Sequence, residues 1–190
     1  MNPSHPSINE SEHDFALIVG GIPELTPQVQ DALFEAGCDD ATLSIQYGLL
    51  YVDFSRSANS LREAIITAVR DVLRSGLPVQ ILRVDDCNLV TASDIARRIE
   101  RSRQLVHQYM RGQRGPGGFP PPVCRLSEHA PLWEWCAVSY WLAQSNLLRP
   151  QESLNAEVVD AINTVLEERL RQRTELLTEI ATELQAIGLS

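Results

Sequence analysis

The chain has 190 residues, 44% of them hydrophobic, and a net charge of −9. That is enough apolar material for one sizeable core or two small ones, and it excludes wholesale disorder. The charge excludes a surface coated in positive groups, so bulk composition alone does not point to nucleic acid. Its distribution is uneven, however: residues 1–87 hold 13 acids and 5 bases, residues 88–145 hold 4 and 7, and residues 146–190 hold 8 and 4. Only the middle block is basic, and all 16 basic side chains are arginine.

Cys38, Cys87, Cys124 and Cys136 are widely spaced and form no CxxC pair, which argues against a disulfide framework and a zinc ribbon and suits a reduced cytoplasmic setting. Cys124, His129 and Cys136 offer three ligands without an evident fourth, so no metal or cofactor is expected. Residues 1–13 lack a basic, then apolar, leader pattern and read as a disordered tail. No apolar run is long enough to cross a bilayer, so no membrane contact is expected.

From Asp14 the periodicity becomes regular. "DFALIVGG" reads as a buried strand closed by glycines. Thr26 and Pro27 open a helix with Val29, Leu33 and Phe34 on its apolar face, and Gly37 suits its end. Leu43, Ile45 and Tyr47, then Leu50, Val52 and Phe54, alternate about Gly48 and predict a hairpin. Ser60 and Glu63 have capping-box spacing before a helix carrying Leu61, Ile65, Val69 and Leu73, and "PVQILRV" supplies a fourth strand. The order βαββαβ over residues 14–87 predicts a ferredoxin-like sandwich, a fold that by itself selects no function. Asp39, Asp40 and Asp53 fall at hairpin ends, where solvated aspartates are common. No nucleophile–base pair or carboxylate cluster accompanies the fold, so an enzyme is not expected.

Residues 88–145 change character. Thr91 and Asp94 have capping-box spacing before the short apolar stripe of Ile95, Ala96 and Ile99, and Ser102 can cap a second helix. There Val106, Tyr109 and Met110 share one side, leaving Arg103, Gln104, His107, Gln108 and Arg111 on the other. Two short helices about a tight turn, the second polar outside, describe a helix-turn-helix. Arginine can pair with guanine and glutamine with adenine, although an ordinary solvated helix face has the same composition.

Residues 90–142 resemble the winged helix-turn-helix of the excisionase and MerR-like group, through T-x-x-D-I-A, a Ser-capped second helix, F-P-x-P-V, P-L-W and a helix ending W-L. More broadly, residues 14–142 are similar to small bacterial DNA-binding proteins in which an α/β domain with a "DDA…VDF" hairpin precedes "ASDIA…RGxRGPGGFP". The chain departs from the pattern at the turn, where Glu100 stands in place of a glycine and Arg101 in place of an apolar residue. The resemblance implies recognition of double-stranded DNA, with Arg101, Arg103, Gln104, His107 and Gln108 at the recognition helix. Arg111, Arg114 and Arg125 would serve a wing formed by residues 111–135, with Val123 and Leu132–Trp135 as its strands. Trp133 and Trp141 would close the small core.

In residues 146–190, Val159, Ile162, Leu166, Leu170, Leu177, Ile180, Leu184 and Ile187 recur at intervals of three and four, interrupted at Arg173. This predicts a helical oligomerisation tail, with a coiled-coil seam joining two copies, since one reading motif per chain needs a partner to cover two half-sites. A helix folded back on its own chain has the same pattern. The expected whole is an α+β, homodimeric, cytoplasmic transcription regulator. The alternative is an antitoxin-like or phage-defence accessory subunit that holds a partner protein through the acidic α/β domain.

Overall fold

The computed structural model describes residues 10–85, 88–127, 130–171 and 175–187. Among them the chain is a mixed α+β structure with a four-stranded antiparallel sheet and seven helices. The first part runs β1 (Ser11–Gly20), α1 (Pro27–Glu35), β2 (Ala41–Gln46), β3 (Leu49–Ala58), α2 (Leu61–Arg74) and β4 (Gln80–Val84). The sheet order is β2-β3-β1-β4.

β1 begins three residues before Asp14, because β3 is long enough to pair Ser11, Glu12 and His13 with Ala58, Ser57 and Arg56. These three residues therefore belong to the sheet and not to the tail expected over residues 1–13; of that tail, residues 1–9 lie outside the described residues. β2 and β3 meet through Tyr47 and Gly48, both at positive φ (51° and 77°), the geometry of a two-residue type I′ turn. Tyr47 thus leaves the strand alternation and stands fully exposed.

Period-two burial on β3 sends Leu50, Val52, Phe54, Arg56 and Ala58 to the helix-covered face. There they join Leu17, Val19, Leu33, Ile65 and Val72 in the first core. α2 buries Leu61, Ala64, Ile65, Ala68 and Val72, so its inward face is rotated from the predicted one and Leu73 is exposed. Arg56, inward by alternation, is satisfied by a chelating Asp40 (2.7 and 2.9 Å), Asp71 (2.8 Å) and the Gly37 carbonyl (2.8 Å). On the opposite face Glu12, Asp14, Asp53 and Ser55 are exposed, and Ser55 donates its hydroxyl within reach of both Glu12 and Asp14.

The second part comprises β5 (Leu89–Val90), α3 (Ala92–Arg98), α4 (Arg103–Met110), β6 (Trp133–Glu134) and α5 (Trp135–Gln144). Its core gathers Val90, Ile95, Ala96, Val106, Tyr109, Trp133, Trp135, Val138, Trp141 and Leu142. Asn88 ties this part down, accepting from the Trp135 and Cys136 amides and donating to Asp160.

α6 (Pro150–Leu170) and α7 (Glu175–Ala186) complete the chain. The continuous intermolecular seam expected along them does not form over α6. Val159 and Leu166 are buried in the first core with Ile162 packed against it, while Ala156 joins the second core. The sheet and α2 offer apolar surface that the stripe covers within its own chain, which satisfies the hydrophobic pattern as fully as a second copy would. Helical geometry also stops at Arg171, whose ψ is 109°. Ile180, Leu184 and Ile187 remain exposed, whereas Arg173 lies outside the described residues.

Candidate nucleic-acid interface

The helix pair is built from strong local signals. Thr91 accepts from the Asp94 amide while the Asp94 carboxylate accepts from the Thr91 amide and hydroxyl, a complete capping box. Those hydrogen bonds, from the hydroxyl first and the amide second, hold the Asp94 carboxyl below its ordinary range. α3 ends in a Schellman motif: Arg101 N–H reaches the Ala96 carbonyl (2.9 Å) and Glu100 N–H the Arg97 carbonyl (3.2 Å). The residue that must turn left-handed is Glu100, with φ 53°. The turn geometry therefore survives the absent glycine, at a conformational cost.

Ser102 then accepts from the Leu105 amide and starts α4. Val106 and Tyr109 are buried beneath it, with Leu105 and Met110 packed against the same core. Arg103 and Gln104 are exposed, Arg101 and Arg111 stand exposed before and after the helix, and His107 and Gln108 are half-buried. Within α4, Arg103, Gln104, His107 and Gln108 lie away from the side that buries Val106 and Tyr109. Arg98, at the end of α3, turns elsewhere and lays its guanidinium over the Trp135 ring at 4.7 Å.

The glycine- and proline-rich segment is folded onto this pair. Trp141 Nε1 donates to the Gly117 carbonyl (2.8 Å) and Trp133 Nε1 to the Pro120 carbonyl (3.1 Å). Phe119 meets both indoles edge-on, with centroids 5.1 Å from Trp141 and 6.4 Å from Trp133. Gly115 packs so closely that a Cβ there would lie 3.2 Å from Trp141 and 3.3 Å from Tyr109. The two tryptophans that fix the loop are themselves in the second core, 5% and 9% exposed.

The expected hairpin of Val123 with Leu132–Trp135 is shorter and paired differently. Val123 N–H donates to Leu132 and Leu132 N–H to Cys124, a single bridge, while Trp133 and Glu134 pair instead with Val90 and Leu89 and Trp135 begins α5. Three consecutive prolines before Val123 have no amide hydrogen with which to extend a ladder. Arg111 and Arg114 flank Gly112 at the exit of α4, and Arg125, at φ 55°, follows the bridge. All three are exposed. His129 lies outside the described residues.

Among the described residues, no helix is long and apolar enough to cross a membrane. No family model matches the chain, and neither a curated protein nor a solved structure does.

Proposed function

We propose that the chain is a sequence-specific regulator that binds double-stranded DNA as a homodimer through an excisionase- or MerR-like winged helix-turn-helix. α4 enters the major groove, where Arg103 and Gln104 read base edges and His107 and Gln108 follow a turn later. Arg101, Arg111, Arg114 and Arg125 neutralise phosphates around it. The observation that carries this reading is the coupling of two features: α4 exposes Arg103 and Gln104 on a buried apolar base, and the loop that follows is pinned by Trp133 and Trp141 with its arginines outward. An immobilised, arginine-bearing loop beside a polar helix suits a wing better than a tether. The α/β unit of residues 11–84 is read as ferredoxin-like, on its β2-β3-β1-β4 antiparallel order, and as a regulatory module without catalysis.

Selection of binding sites from random duplex DNA by the purified protein tests this function. A defined site should emerge, and Gln104→Ala should change its base preference. Arg114→Ala should weaken all sequences alike and reduce the salt slope by about one unit. Unchanged selection after Arg103, Gln104 and His107 all become Ala would remove α4 from the role of reader.

A second reading has one specific observation in its favour. The uncovered sheet face is acidic, with Glu12, Asp14 and Asp53 exposed and Asp85 accepting from Tyr51. Burial, then that hydrogen bond, pushes the Tyr51 phenol up to about 12. Such a face suits a basic protein partner, as an antitoxin-like or defence accessory subunit would need. A stoichiometric complex abolished by Asp14→Arg with Asp53→Arg, in a protein that selects no DNA site, would favour this reading over the first.

A further inference from the structure

The sheet has two edges, and the chain treats them differently. On β4, Asn163 of α6 accepts from the Val84 N–H at 2.8 Å and donates to its carbonyl at 3.1 Å, so a side chain stands where a fifth strand would pair. β2, at the other edge, has no neighbouring strand on its outer side among the described residues. Its six residues, Ala41–Gln46, carry no charge and no proline, and their register with β3 is unbroken. Solvent-facing edges are ordinarily blunted by charge, proline or a bulge. β2 has none of the three.

The geometry of the hairpin says which backbone groups are free. A two-residue turn makes Gln46 and Leu49 a hydrogen-bonded pair, so Ser44 and Thr42 also bond toward β3. Leu43 and Ile45 therefore direct their N–H and C=O groups outward. Beside them a groove of about 370 Å³ is lined by Leu25, Phe34, Ala41 and Leu43 together with Asp31 and Asp39. Phe34 is 65% exposed there. At the opposite end of the same strand Tyr47 stands clear of the protein, an aromatic side chain with a hydroxyl donor and no packing of its own.

We propose that β2 pairs antiparallel with β2 of a second copy of this chain, making a continuous eight-stranded sheet across the dimer. Centred on Ser44, the pairing sets Leu43 opposite Ile45 of the second copy, which uses the outward backbone groups of both. It sets Tyr47 opposite Ala41, at the groove. The ring of each Tyr47 covers Phe34 and Leu43 of the other copy, and its hydroxyl meets the carboxylates of Asp31 and Asp39, an aromatic body with a polar tip in a site of the same character. The antiparallel sense also keeps the acidic end of each strand, Asp39 and Asp40, beside the uncharged turn of the other. A parallel partner would oppose acid to acid. The inference gives the homodimer of the proposed regulator its interface, and rests on that reading only for the purpose of the dimer.

Sedimentation of the full chain without DNA, over a wide concentration range, tests it. The wild type is expected to dimerise. Tyr47→Asn should raise the dimer dissociation constant about tenfold or more. The same change should leave the monomer at least as stable, since asparagine tolerates positive φ better than tyrosine and Tyr47 has no internal packing to lose. Phe34→Ser, on the other side of the contact, should weaken the dimer likewise. Ile180→Glu with Leu184→Glu, on the exposed face of α7, should leave it intact. A monomeric wild type, a dimer indifferent to Tyr47→Asn and Phe34→Ser, or a dimer lost through the α7 changes would overturn the interface. A dimer weakened as expected in a protein that selects no DNA site would uphold the interface and sink the regulator.

Discussion

Asn163 of α6 holds both backbone groups of Val84, accepting from its N–H and donating to its carbonyl, and is itself only 6% exposed. A helix that supplies the final hydrogen bonds of a sheet edge is part of that domain's fold, whatever its sequence pattern suggests. Replacing Asn163 with Ala leaves a donor and an acceptor of β4 without their partner, at a cost of about 1–3 kcal/mol. Asn163→Leu should be no milder, because the orphaned groups belong to Val84. Val165→Ala, on the exposed side of α6, should stay within about 0.5 kcal/mol. Urea denaturation compares the three, with equal m-values expected if only the native state changes.

Arg56 links the α1–β2 loop to α2 through Asp40, Asp71 and Gly37, and its removal takes from Asp71, whose side chain is 10% exposed, one of its two arginine partners and leaves it Arg70. Breaking such a buried pair from one side costs about 3–5 kcal/mol, so Arg56→Met should lower the denaturation midpoint far more than Arg62→Met on the exposed face of α2. The pH dependence follows from Asp71. Burial raises its pKa, but hydrogen bonds from Arg70 and Arg56 outweigh burial and leave it below the ordinary 3.8. A carboxyl lowered on folding contributes stability that is present above its unfolded pKa and is lost as pH falls through the folded value. Acid should therefore erode wild-type stability progressively from about pH 5 downward. The acid limb of Arg56→Met should be shallower, because one of the two arginines that lower the Asp71 pKa is gone; equal slopes in the two proteins would contradict this account.

Much of this was legible in the sequence for identifiable reasons. The period-two alternation of β3 and the Gly48 turn locate the hairpin, and Thr91 with Asp94 and Ser102 locate α3 and α4. Other features leave weaker marks. An apolar stripe at intervals of three and four is the same whether a second helix or a sheet covers it; the polar Asn163 inside that stripe, between Ile162 and Leu166, was the available sign of a specific internal partner. Arg56 likewise falls on the inward parity of β3, where a charge requires buried carboxylates. β5 and β6 are two residues each, too short for any periodicity, and their pairing depends on Trp133 being drawn into the second core.

Glu100 occupies a left-handed position that three comparable helix ends fill differently. α1 closes through Gly37, α4 through Gly112 and α5 through Asn146, each with φ between 54° and 100°, and only α3 uses a long side chain. A non-glycine residue pays about 1 kcal/mol or more there. Glu100→Gly should raise stability by about 1 kcal/mol, read as a higher melting temperature, while Glu100→Ala should give no comparable gain. The change also removes an acid from the turn beside Arg101, so if the chain binds DNA as proposed, its affinity at low salt should rise, and the rise should shrink as salt screens it.

Gly115 supplies the sharpest separation of fold from recognition. Its φ of 79° disfavours any side chain, and an added methyl would press on Trp141 at 3.2 Å and Tyr109 at 3.3 Å, ring atoms that are packed on their other faces. Gly115→Ala should therefore lift the loop from its tryptophan anchors at a cost of about 1–3 kcal/mol, visible as a changed tryptophan emission spectrum. Gly117→Ala tests strain alone, since its Cβ would meet open space. If the loop is a wing, Gly115→Ala weakens binding to all DNA sequences alike and leaves base preference to α4, because a displaced phosphate contact carries no sequence information. Altered emission with unchanged affinity would detach the loop from the proposed recognition and leave Arg103 and Gln104 as the proposed interface.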